Sequence, residues 1–233
     1  MTDFTLELLQ AINDWQRGGD HKQKLRRGEK LKQLAVALPE QFRTCTAVCY
    51  RQEAHEKDRI WQLLADESLP ETIAAWTTDL SVAKDFKNGV PPDGLRGVIF
   101  SLIPPPESVI INLNEIYSDP DFRSAVEHHK LAITGFGNGI GRYGVMQREV
   151  VLELPKLGPE TIHCYGGYAS SRESLAQQFF GYKPNVEGLA FFDQICRQAN
   201  IPESGAWWLT NEGTKNVLKR MWPRIEQLRR LKR

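Results

Sequence analysis

Apolar positions at the start of the chain recur at helical spacing. Phe4, Leu8, Leu9, Ile12 and Trp15 form one stripe and predict a first helix. Arg17-Gly18-Gly19-Asp20 breaks that pattern. A second stripe, Leu31, Leu34, Ala35 and Leu38, predicts a helix over 21–38 that stops at Pro39. From 43 to about 166 the pattern changes to short apolar runs separated by turns. TCTAVCYR (44–51), TIAAWT (72–77), RGVIFSLI (96–103) and SVIINLN (108–114) read as strands, as do LAITGF (131–136), VMQREVVLEL (145–154) and TIHCYG (161–166). Helices are expected between them over 58–64, over 81–87 with Asp79 as cap, and after Asp119-Pro120, a cap followed by a first-turn proline. Helical patterns return after 170. One is capped by Ser170 or Ser171 and runs to Phe180, one covers 187–198, and one starts at Thr214 and should end or kink at Pro223.

Many short strands with few intervening helices argue against a regular βαβ repeat. They fit an α+β fold with a mainly antiparallel core. The pattern divides the chain into an N-terminal helical extension (1–42), a strand-rich core (43–168) and a C-terminal helical region (169–233). Hydrophobic residues at 41% and charged residues at 25% are the balance of a globular protein, not a disordered one. The N-terminus has Asp3 and Glu7 and no basic region ahead of an apolar run, so it does not read as a signal peptide. No apolar run approaches the length of a membrane helix, which leads to the expectation of a cytoplasmic protein with no membrane partner. Cys45 and Cys49 read as small core residues, and the cysteine spacing does not suggest a metal site. Net charge is only +1, but basic residues cluster at 21–27 and from Lys215 to the end. Charge alone favours solvated helix faces there over a phosphate-binding footprint.

Gly139-Ile140-Gly141-Arg142-Tyr143-Gly144 matches GxGxxG but leads into a strand pattern. A dinucleotide fingerprint would open a helix instead. The glycines from 135 to 144 read as a mobile recognition loop. Three other features carry candidate chemistry. Arg51 ends an apolar strand just after Tyr50, where a guanidinium can grip phosphate or form an ion pair. Thr77 and Thr78 sit at a strand end, where hydroxyls can line a site or simply shape a turn. Gln147 and Glu149 alternate along a predicted strand, which would put them on one face.

In this order, Tyr50-Arg51, Trp76-Thr77-Thr78 followed by Ala83-Lys84-Asp85-Phe86, and Gln147-Arg148-Glu149 resemble the mono-ADP-ribosyltransferases of the Arg–Ser/Thr–Glu class. The resemblance covers about 43–166, and Thr-Thr-Asp stands where Ser-Thr-Ser is common. It implies a split antiparallel β-sheet core and NAD⁺ as substrate, with no metal. It implies Glu149 on the ribose 2′-OH, where a carboxylate strengthens its hold as oxocarbenium charge builds. Arg51 would hold the pyrophosphate or neighbouring ribose beside Tyr50. Thr77 or Thr78 would support the nicotinamide site, and Phe86 would wall the pocket unless it is core. Gln147 would face the acceptor together with Arg142 and Tyr143.

A glutamine cannot act as a base at neutral pH, which argues against arginine as acceptor. The expected acceptor is a macromolecule: RNA or DNA, with RNA slightly favoured, or protein. A toxin or defence effector, even one with a neutralising antitoxin, fits that activity. The alternatives are an NAD⁺ glycohydrolase and a non-catalytic RNA- or protein-binding module.

Overall fold

The first apolar stripe folds as helix α1 (Leu6–Gln16), capped by Thr5, whose hydroxyl accepts from Leu8 N. Asp20 opens α2 (His21–Ala35) with a reciprocal capping box to Gln23. In chain order there follow β1 (Cys49–Glu56), α3 (Lys57–Asp66), β2 (Ile73–Thr77), α4 (Leu80–Asp85), β3 (Leu95–Leu102) and β4 (Val109–Asn112). Then come α5 (Leu113–Ser118), α6 (Pro120–His129), α7 (Ile140–Tyr143), β5 (Glu149–Glu153) and β6 (Ile162–Gly166). Helices α8 (Arg172–Phe180), α9 (Val186–Gln198) and α10 (Asn211–Arg230) follow. The computed structural model describes residues 3–69, 71–86, 91, 95–166, 172–199 and 208–231. Ser170 and Ser171, the expected caps of α8, lie outside the described residues. The fold is α+β, and the strand pairs are antiparallel among the described residues.

The chain forms two compact units, each assembled from three stretches. The first comprises Met1–Arg51, Ser68–Leu80 and Ser101–Gly158. Its strands run in the order β4-β5-β2-β1. The β2–β5 pairing is continuous from Ile73↔Glu153 to Thr77↔Glu149, whereas β1 meets β2 at Tyr50↔Thr77. Leu8, Leu9 and Ile12 of α1 and Leu31 of α2 share one buried core with Ile73, Ile111 and Val151 of the strands. Each such side chain, fully removed from water, contributes about 1.5–3 kcal/mol. The second unit comprises Gln52–Glu67, Ser81–Phe100 and Pro159–Arg233, and β3 pairs with β6 within it. There α10 is tied to β6 by Tyr165 N donating to Thr214 Oγ1 at 3.2 Å, and to the end of α3 by Arg229–Glu67 at 2.6 Å. Helices α8 and α9 enclose a smaller core of Ala176, Phe192 and Cys196.

Four expectations need correction. The run 44–51 becomes a strand only at Cys49. Before it, side chains replace the ladder: Asn112 Nδ2 donates to Thr44 O at 2.9 Å, and Cys45 Sγ contacts Ala47 O. Cys45 is therefore half-buried rather than core, while Cys49 is buried. The run 131–136 is a turn, not a strand, because Gln10 and Asn13 of α1 take its backbone groups at Thr134. The glycine-rich loop is likewise held in place. Asn13 Oδ1 accepts from Ile140 N at 3.1 Å, Ile140 is buried, and residues 140–143 form α7. A Cβ on Gly139 would lie 2.4 Å from Asn13 Oδ1, so glycine is what permits this approach. Finally, α10 runs through Pro223. Buried Thr214 and Ile225 anchor it on both sides of the proline.

Candidate functional site

Thr77 closes β2 and Glu149 opens β5, and the two stand directly opposite each other. Directly opposed residues of antiparallel strands share a face. Tyr50 of β1 stands opposite Thr77 on the other flank. Three segments remote in sequence therefore meet in one row across β1, β2 and β5. The turn between Thr77 and α4 is fixed: Thr77 Oγ1 donates to Gln147 O at 2.7 Å and accepts from Asp79 N at 3.1 Å. Thr78 N donates to Arg148 O at 3.1 Å.

Gln147 does not share a strand face with Glu149, contrary to the alternation in the sequence. It ends a short 3₁₀ turn, Gly144–Gln147, and Arg148 adopts a left-handed φ of 43° before β5 begins. A residue in that conformation cannot continue a pleated strand, so the period of two fails there. Gln147 is half-buried, and its carbonyl is occupied by Thr77.

Glu149 is 6% exposed, and no cation pairs with it among the described residues. Trp15 Nε1 of α1 donates to its Oε1 at 2.6 Å. The adjacent Gln16 accepts from the Tyr117 hydroxyl at 2.7 Å. Burial pushes the Glu149 carboxyl above the ordinary carboxylate range, and the Trp15 hydrogen bond, with the Gln16 amide nearby, opposes that shift. Burial also raises the Tyr117 phenol, and the nearby Glu149 charge adds to the effect. A buried carboxylate without a cation costs stability unless it is neutral or well hydrogen-bonded. Groups kept in such surroundings are candidates for function.

Arg51 lies one residue along β1. Its Nη1 donates to Ala75 O at 3.0 Å and its Nη2 to Glu71 Oε2 at 3.1 Å, with Lys24 on the same carboxylate. Just before it, Cys45 and Cys49 place their sulfurs 3.6 Å apart. The hydrogen bond from Cys49 lowers the Cys45 thiol to about 7 and raises Cys49 in turn. Arg142 and Tyr143 of α7 pair with each other, the guanidinium 5.3 Å from the ring centre. Phe86 follows α4 in the second unit and is 49% exposed, so it is not a core residue.

The structure thus gathers Tyr50, Thr77, Thr78, Gln147 and Glu149, while the Arg51 guanidinium is held at Ala75 O and Glu71. Sequence reasoning missed Trp15, Gln16 and Glu71. For Gln16 a signal was present: Asn13 and Gln16 are polar residues inside the apolar stripe of α1, and both are buried. Compared with known proteins, the chain matches no family model, no curated sequence and no solved structure. Among the described residues no helix is long and apolar enough to cross a membrane. Nor does any group of three or more His, Cys, Asp and Glu among them stand ready to hold a metal ion.

Proposed function

We propose that this protein is a mono-ADP-ribosyltransferase that cleaves NAD⁺ and passes ADP-ribose to a macromolecule. The observation that carries this reading is the row Tyr50–Thr77–Glu149 across three adjacent strands, with Arg51 next in β1. It supports the reading because the Thr and Glu of the Arg–Ser/Thr–Glu resemblance come from distant segments to stand opposite each other. In the reaction the bond between nicotinamide and ribose C1′ breaks, and nicotinamide leaves with the electron pair. The acceptor nucleophile bonds to C1′ and gives up its proton to solvent. Glu149, as a carboxylate on the ribose 2′-OH, holds the cationic ribose more tightly than the ground state, an effect on the order of 3–4 kcal/mol per contact. Arg51 grips phosphate oxygens once a ligand competes with Glu71 for its guanidinium. Trp15 keeps Glu149 covered until substrate arrives, so NAD⁺ displaces the indole to reach the carboxylate.

RNA is the favoured acceptor, ahead of DNA and protein. A chain with that activity acts as an intracellular toxin or defence effector. The test incubates the protein, beside Glu149→Gln, with NAD⁺ labelled in its adenylate and with separate pools of RNA, DNA and protein. Label is expected in the RNA pool with the wild type and absent with the variant. Nicotinamide release without a labelled polymer would make the protein a glycohydrolase. NAD⁺ left intact by both would leave a binding module. Expression of the wild type is expected to arrest growth where Glu149→Gln does not.

A further inference from the structure

A groove of about 620 Å³ lies in the first unit, between α1, α2 and Thr134. Arg17, Arg26, Arg27 and Lys30 line it against a single carboxylate, Asp14. That carboxylate is engaged by Arg17 at 3.1 Å. Arg17 is seated over Gly135, where an added Cβ would lie 2.9 Å from its guanidinium carbon. Arg27 is fixed by donating to Gly18 O. Lys30 is paired with Glu7. Three of the four cations are therefore engaged within the fold. Arg26 and Lys30 are exposed on α2 and stand four residues apart, about 6 Å along the helix axis. Lys22, exposed one further step toward the N-terminus, continues the same stripe beyond the groove.

We infer that this groove binds the phosphodiester backbone of single-stranded RNA. The excess of positive charge selects an anion, and guanidinium forks suit phosphate oxygens. The stripe beyond the groove suits a chain of phosphates better than a single one. The one apolar lining residue, Ala11, gives a lipid surface nothing to insert against. The lining holds no aromatic ring for a base to stack on, so recognition is of the backbone and independent of sequence. Helix α1 carries both this groove and Trp15, the residue that covers Glu149. That the bound strand is the acceptor rests on the transferase reading; the binding itself does not, and it is measured without NAD⁺.

The experiment is fluorescence anisotropy of a labelled oligouridylate against the full-length protein over a range of salt. It compares the wild type with Arg26→Gln/Lys30→Gln, two exposed side chains, the second of which also gives up its pair with Glu7. Lys215→Gln/Lys219→Gln on α10 serves as a charge-matched control. The groove variant should lose affinity about tenfold or more at low salt. Its salt slope should fall by about 1.4, two contacts at roughly 0.7 each. The control should bind as the wild type does. Equal losses in both variants, or no loss in the groove variant, would overturn the proposal. So would inorganic phosphate displacing the oligonucleotide at equal phosphate concentration, which marks a free-phosphate site. Vesicles of anionic lipid binding more tightly than RNA would overturn it as well. If RNA binds here and NAD⁺ is never cleaved, the groove stands and the transferase reading falls.

Discussion

At the scale of single residues, Glu149 decides the most. Its folded pKa is raised, so its burial favours folding only while the carboxyl is protonated. Relative to a neutral residue, that contribution is lost as pH rises through the folded pKa. Glu149→Gln keeps the shape and an acceptor for the Trp15 indole while removing the charge. The variant is expected to melt at or above the wild-type temperature, with the gap widening from acidic to alkaline pH. Each kcal/mol recovered is worth about 2–4 °C at this size. NAD⁺ cleavage should vanish in the same protein. Thermal melts across pH beside a nicotinamide-release assay check both, and a variant that stays active sinks the catalytic assignment. Trp15→Phe removes the one indole donor at 2.6 Å. It should cost about 1–3 kcal/mol and carry the acid limb of the rate profile to higher pH, because the carboxylate loses a stabilising bond. An unshifted limb would mean that Trp15 merely packs. The order of motifs singles out Glu149 as a candidate, whereas its indole cover is not legible in the sequence. A tryptophan on an apolar stripe reads as core, and nothing in a linear pattern says which distant acceptor its N–H will find.

At the scale of elements, the sequence pattern located helices α1, α2 and α6 and strands β2, β3 and β6 to within a few residues. Their apolar periods and caps are local signals. It failed between 131 and 148. There the chain takes its conformation from hydrogen bonds to α1, more than a hundred residues earlier, and from one left-handed residue, Arg148. A loop rich in glycine looks free when its partners are out of view. Asn13→Ala should release it. The variant loses the bonds at Thr134 O and Ile140 N, and is expected to be about 1–3 kcal/mol less stable. Amide exchange should accelerate across 133–143 ahead of the rest of the first unit. Unchanged protection there would show that apolar packing alone orders the loop.

At the scale of the whole molecule, the first unit draws its core from the N-terminal helices and from strands that follow much later. The pattern of segments shows each piece but not which pieces close on one another, because a contact across the chain leaves no mark on local periodicity. The pair Trp15–Glu149 spans 134 positions. At the usual pace of translation, 5–20 residues per second, about 7–27 s separate the emergence of its two members from the ribosome. Through that interval the nascent polypeptide holds the Trp15 indole without its Glu149 acceptor. Under the proposed transferase and toxin reading, the chain is harmless to its host for most of its synthesis. Ribosome-bound chains arrested before Glu149 should release no nicotinamide, and those extended past β5 by the length of the exit tunnel should be the first that can.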